Sequence, residues 1–342
     1  MTDQPQHPRR GITRRAALAL GGGAAVGLTG IHFARRAMER PAPVFIARSQ
    51  RYDGPLAATI REGLAACGLA PAQFRGRRVL LKPNLVEPSR LVPHMTTHPA
   101  VVVAAAQVFR DWGAHVSVGE APGHLRDTQQ ALEDSGVGAA LADSGFPFAD
   151  LNYEESAWRH NRGRFSPLKG LYFPRSVLEA AFIVSMPKLK THHWVGMTAA
   201  MKNFYGVLPG LKYGWPKNVL HHNGIPQTVV DINCTLPRTL AIVDAIDCME
   251  GDGPILGSAK SLGVLLVGTS LPAVDATAAR IMGLEPSRIS YLEMAAQRLG
   301  PIEDRLIDQR GERWQSVASP FKLIAEPHIQ ELRADRHGAL FS

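Results

Sequence analysis

Residues 178–210 read LEAAFIVSMPKLKTHHWVGMTAAMKNFYGVLPG. The opening apolar run, 178–186, is short and bounded by a proline, so it reads as a buried strand. Behind it Lys188, Lys190, His192, His193 and Lys202 crowd into a few turns of chain. Along an extended exit, alternation places Lys188 and Lys190 on one side and Leu189 on the other. Gly196 permits a turn, and MTAAMKNFYG reads as a short helix with Thr198 as its N-cap. A helix N-terminus flanked by Lys190 and Lys202 suits a phosphate or a carboxylate.

The same pattern, oily strand then polar exit, recurs on both sides of this segment. Residues 44–49, 77–86 and 261–270 read as strands, 115–123 as a strand then a Gly-rich turn, and 239–251 as a strand into an acidic loop where Asp stands beside Gly. Residues 56–69, 98–114, 127–141, 226–237 and 272–283 carry helical spacing, several with Pro at the start or Gly at the end. Short apolar strands alternating with helices predict an α/β fold with a mainly parallel, doubly wound sheet and helices on both faces. Residues 143–176 are polar and aromatic without a firm period, and predict an inserted loop or hairpin around HNRGRF. The expected organisation is residues 1–40 as a signal or anchor, 41–300 as the α/β domain and 301–342 as a C-terminal extension.

The chain has 342 residues and a formal net charge of +8. Residues 1–40 contribute +5 of this, through seven arginines against Asp3 and Glu39, and leave +3 for the rest. That balance, with no basic stripe interleaved with aromatics, argues against a nucleic-acid partner. Arg14-Arg15 ahead of a weakly hydrophobic Ala/Gly/Leu run resembles a twin-arginine export signal. Residues 16–34 are also just long enough to anchor the chain in a bilayer. The expectation is therefore a periplasmic or otherwise extracytoplasmic protein, with the export machinery as a partner and membrane contact only through this segment. Cys67, Cys234 and Cys248 are the only cysteines and show no C-x-x-C spacing, so an iron–sulfur cluster is disfavoured.

Four strand exits are rich in chemistry. They carry Lys82-Pro83-Asn84, then Glu120 in GEAPG, then the Lys188–His193 run, then Asp244, Asp247 and Glu250. In a parallel sheet all four open at one edge, where ligands bind. Lys190, Lys202 and Lys82 are expected to hold a small anion, and His192 to move protons. On a helical turn Asp244, Asp247 and Glu250 would share a face and hold a divalent metal, or orient a lysine. Asp275, near the start of the last clear helix, is expected to favour that helix's own N-terminus. The loop with Trp215, Lys217 and His221-His222 is a candidate lid. No P-loop, G-x-S-x-G elbow or H-E-x-x-H is present.

VLLKPNLV, TTHPAVV, VGEAPG, MPKLKTHHWVGMTAAMKNFYGVLPG, VVDIN, LAIVDAIDCMEGDGP and AVDATAARIMG occur in that order. In this the chain resembles the domain of unknown function 362 family over residues 43–290. The resemblance puts weight on Lys82, Asn84, His98, Lys188, Lys190, His192, Lys202, Asn203 and Asp244. It implies a domain without a settled activity. Some relatives append a ferredoxin-like module with cysteine-ligated iron–sulfur clusters, and this chain lacks those cysteines. The combined expectation is an enzyme with catalytic His192, Lys190 and Lys202. Lys82, Asn84, His98, Glu120, Lys188 and Asn203 would bind a carboxylate or phosphate. The alternatives are a non-catalytic periplasmic binding or maturation factor for a redox complex, or an iron–sulfur-linked redox protein.

Overall fold

The computed structural model describes residues 41–124 and 126–334. The export-signal and anchor readings of residues 1–40 lie outside the described residues. The strands are β1 Ala42–Ala47, β2 Arg78–Pro83, β3 His115–Glu120, β4 Phe148–Asp150, β5 Ser156–His160, β6 Gly170–Pro174, β7 Phe182–Met186, β8 Lys188–His192, β9 Gly196–Thr198, β10 Thr239–Glu250, β11 Ser258–Gly268 and β12 Ile307–Gly311. One sheet runs in the order β12-β1-β11-β10-β7-β2-β3-β4, with β8 paired to β10 and β9 to β8. Strands β10, β7, β2 and β3 are consecutive parallel neighbours. Their C-terminal ends therefore open on one side, as the four polar exits require. Strand β11 is antiparallel to both β1 and β10. Strands β5 and β6 form a separate antiparallel hairpin within the inserted region. Strand β12, from the C-terminal extension, pairs in parallel with β1 at the sheet edge.

Period-two alternation explains why these strands read as continuous apolar runs. Val79, Leu81, Val184, Ile242, Leu265 and Val267 pack on one face, against Ile60 and Leu64 of α1 (Leu56–Ala66) and Val101, Ala105 and Phe109 of α2 (Pro99–Asp111). Leu80, Ile183, Val243 and Leu266 point to the other face. There they join α3 (Ala200–Asn203), α4 (Asn218–His222), α5 (Ile225–Thr235) and α6 (Leu271–Ile281). Both faces are covered, so neither needs polar residues.

Three local expectations change. Thr198 lies in β9, and Ala199 holds the cap position of α3 without a side-chain hydrogen bond. Asp275 does not serve its own helix, which starts at Leu271 after Ser270. Its carboxylate accepts the Ala200 amide at 2.7 Å and the Met201 amide at 3.1 Å, so it closes the N-terminus of α3. That terminus is thus taken by a side chain of the protein itself. Asp244, Asp247 and Glu250 stand along β10, a single twelve-residue strand, and not on a helical turn. The pairing of β10 with β11 extends the strand through what the Asp/Gly composition suggested was a loop.

Asp275→Ala would strand two buried amides, a loss of about 2–4 kcal/mol. Denaturant unfolding checks this, and Asp275→Asn, which keeps one acceptor, should lose less.

Candidate functional site

At the C-terminal edge of the parallel strands lies a cavity of about 140 Å³. Strand β2 delivers Lys82, with Asn84 just past its end, and β3 delivers Glu120. Strand β8 delivers Lys190 and His192, α3 delivers Lys202 and Asn203, and the segment from 216 to 221 closes over them with Lys217 and His221. The candidate lid of the sequence is therefore one wall of this cavity.

Lys82 is the hub. Its Nζ donates to Glu120 Oε2, to Asn203 Oδ1 at 2.7 Å and to the Pro83 carbonyl at 2.7 Å. Asn203 returns Nδ2 to the Lys82 carbonyl and to Ser185 Oγ. Both side chains of the Lys82–Glu120 ion pair are almost fully buried, at 1% and 3% exposure. Burial pushes the Lys82 ammonium down and the Glu120 carboxyl up, while each pulls the other back. Gly206 presses against this pair: a Cβ there would sit 1.8 Å from Glu120 Oε1 and 2.6 Å from Lys82 Nζ. Gly206→Ala should therefore cost about 1–3 kcal/mol, read as a lower unfolding midpoint.

Three more lysines face the same space. Lys190 Nζ donates to the carbonyls of Met95 at 2.8 Å and Pro254 at 3.2 Å. Burial, then Lys188, Lys202 and Lys82, hold its pKa well below the ordinary lysine range. Lys217 donates to the Leu208 carbonyl and, at 3.4 Å, to Asn152 Oδ1. Burial brings it down to about 7. Lys202 stands with Nζ 3.8 Å from the Tyr205 ring centroid. Burial, and next Lys82, bring it down to about 7 as well. Among the described residues the cavity wall thus carries four lysines and one carboxylate, Glu120.

The histidines divide by position. His192 Nδ1 accepts the Trp194 amide at 3.2 Å. The ring proton is therefore on Nε2. Burial holds this imidazole neutral, well below its usual pKa. His192 lines the cavity with its Nδ1 taken by that backbone contact and its Nε2–H as the remaining polar group of the ring. His221 packs on Trp194 and on Tyr205, with ring centroids 5.5 and 5.7 Å away, and burial pushes it down to about 4. His193 sits nearer the rim, 3.6 Å from Asp252.

The family profile described as Domain of unknown function (DUF362) matches residues 79–280, a span that holds every lining residue of the cavity. The chain belongs to the DUF362 family. A curated relative, the thylakoid-associated protein of Synechocystis sp. (strain ATCC 27184 / PCC 6803 / Kazusa), is 30% identical over 261 residues, covering 75% of this chain and 79% of that protein.

In this DUF362 domain several of the weighted residues lie outside the cavity. Lys188 Nζ donates to Asp244 Oδ2 at 2.6 Å and to Tyr52 Oη at 2.8 Å. Asp244 also accepts the His98 amide at 2.9 Å and the Tyr52 hydroxyl at 3.1 Å. His98 stacks on Tyr52 with centroids 3.7 Å apart, and its Nδ1 accepts the Ala100 amide to cap α2. His98, Lys188 and Asp244 therefore form a part-buried clamp between β8, β10 and α2, and His98 and Lys188 do not line the cavity.

The three acids expected to hold a metal are not brought together. Asp247 accepts from Ser261 Oγ at 2.6 Å, while Glu250 accepts the Lys322 amide at 2.9 Å and stands 3.6 Å from Lys260 Nζ. Each acid has its own partners, and no cluster of three or more His, Cys, Asp or Glu able to hold a metal ion occurs among the described residues. Sequence reasoning missed Tyr52, Tyr205 and Asn152. Tyr52 and Asn152 act on residues distant in sequence, which local spacing does not mark, whereas Tyr205 stands three residues from Lys202, a helical spacing that could have pointed to it.

Proposed function

We propose that this DUF362 protein binds a small, multiply charged anion, a carboxylate or a phosphate, in the lysine cavity and performs proton chemistry on it. The observation that carries the reading is the charge count of the wall, four buried lysines with a single carboxylate. Buried charge of one sign is costly unless a counter-charge enters. A bound anion supplies that counter-charge, and lysines poised near neutrality can then give or take protons. Lys190, fixed by two carbonyls, is the anchoring cation. His192 Nε2–H and Asn203 are the neutral polar groups that orient the ligand. Trp194, Tyr205 and His221 supply an aromatic wall.

The location proposed is extracytoplasmic or membrane-associated. Two things support it: the Arg14-Arg15 signal-like segment, which would engage the twin-arginine export machinery, and the thylakoid association stated for the Synechocystis relative. No helix among the described residues is long and apolar enough to cross a membrane.

Calorimetric titration of inorganic phosphate and of malonate into the full chain tests the binding reading. Lys190→Met should weaken binding by about 30-fold or more, since removing a buried charge partner costs about 2 kcal/mol or more. Equal affinity in Lys190→Met and the unmodified protein would refute the assignment.

A further inference from the structure

The four lysines of the cavity are not equivalent. Lys82 is held by a carboxylate, an amide oxygen and a carbonyl. Lys190 is held by two carbonyls, and Lys217 by a carbonyl and an amide oxygen. Lys202 alone of the four has no hydrogen-bond acceptor among the described residues. Its Nζ rests on the face of Tyr205, whose own hydroxyl is turned away to Thr228 and the Ile225 carbonyl. The residue is 9% exposed and opens onto the cavity. An amine that is desolvated, neighboured by another cation and not tied to an acceptor has its lone pair available. A lysine meant only to hold charge gains nothing from this arrangement, as its three neighbours illustrate.

We propose that Lys202 is a nucleophilic, imine-forming lysine, and that the anion held in this cavity carries a ketone or aldehyde carbonyl, as a small 2-oxo acid does. The inference rests on the anion-binding reading above and adds the reacting group. In the unprotonated fraction of Lys202 the lone pair forms the C–N bond while the C=O π pair moves onto oxygen. A proton passes from the new ammonium to that oxygen, giving a carbinolamine. Its hydroxyl leaves as water with one proton supplied by Lys217, and the C=N bond forms as an iminium. Amine, carbonyl and one proton become iminium and water, with no change of oxidation state. Lys217 shares the cavity and, at about 7, is matched to giving and regaining that proton.

Two features of the wall fit the intermediates. Asn84 Oδ1 is buried and has no hydrogen-bond partner, so it can accept from the carbinolamine hydroxyl or the iminium N–H. The Tyr205 face that meets Lys202 favours the cationic iminium.

Reductive trapping tests this. The full chain is incubated with pyruvate or 2-oxoglutarate and sodium cyanoborohydride, and the modified lysine is located by peptide mapping. The expected result is one adduct, on Lys202, suppressed by malonate and reduced about tenfold or more in Lys202→Arg. If malonate binds the protein but no adduct forms, the inference is wrong and the anion site stands. Adducts scattered over surface lysines and indifferent to malonate would overturn it equally. If neither malonate nor phosphate binds, both readings fall. Should Lys202→Arg fail to fold, the adduct map of the unmodified protein decides alone.

Discussion

Lys82→Met is expected to destabilise the domain by about 3–5 kcal/mol, because it leaves Glu120 buried without its cation. The loss has three parts in this structure. Glu120 keeps the Leu85 and Ala121 amides as donors but no longer faces a charge. Asn203 Oδ1 loses its only donor among the described residues, at 2.7 Å, and the hub that ties β2 to α3 is gone. Gly206 packs directly on the pair, so water cannot easily replace the ammonium. Lys82→Met combined with Glu120→Gln removes both charges and should recover a large part of the loss. Denaturant unfolding of the two single variants and the double variant gives the coupling. If Lys82→Met unfolds within about 0.5 kcal/mol of the unmodified protein, typical of a surface site, the hub is misassigned.

The second large effect is the pH dependence of anion affinity. Lys202 and Lys217 each sit at about 7 in the free protein. A bound anion raises both, since an opposite charge favours the protonated form. A group whose pKa rises on binding takes up a proton, so affinity is highest where both states are protonated and falls as pH climbs through 7. The fall continues until the raised pKa of the complex is passed, with a limiting slope of about tenfold per pH unit for each lysine. Between pH 7 and 9 malonate affinity should drop by about tenfold to 1,000-fold, according to how far binding raises the two pKa values, the charge of the probe itself being constant there. Lys202→Met should flatten the slope by one proton's worth, as should Lys217→Met. An affinity that is flat from pH 6 to 9, or that rises, would contradict this.

The sheet and the edge at which the cavity opens were both legible in the sequence, for a physical reason. A strand buried on both faces must be apolar along its core, so 79–81, 182–184 and 240–243 betray themselves without knowledge of their neighbours. The polar exits of parallel strands then meet by topology alone, which is how Lys82, Glu120, Lys190, His192, Lys202 and Asn203 came to be grouped. The partners of those exits were not legible. Lys188 and Lys190 are two residues apart on one strand, yet Asp244 and Tyr52 engage the first and leave the second in the cavity. The N-terminus of α3 looked open to an anion until Asp275, 75 residues away, filled it. The acids of β10 looked like a loop because Asp beside Gly usually turns the chain, and only the pairing with β11 keeps them extended. Each failure has one origin: spacing shows which face a residue shares, not which distant side chain arrives there.

The central claim is that the cavity carries surplus positive charge that an anion completes. The most direct measurement is the number of protons exchanged when malonate binds the full chain at pH 7.5, obtained by calorimetry in buffers of different ionisation heat. The account predicts a net uptake of about one proton and at most about 1.5, reduced in Lys202→Met and in Lys217→Met. Binding with no proton exchange, or with release, would contradict it.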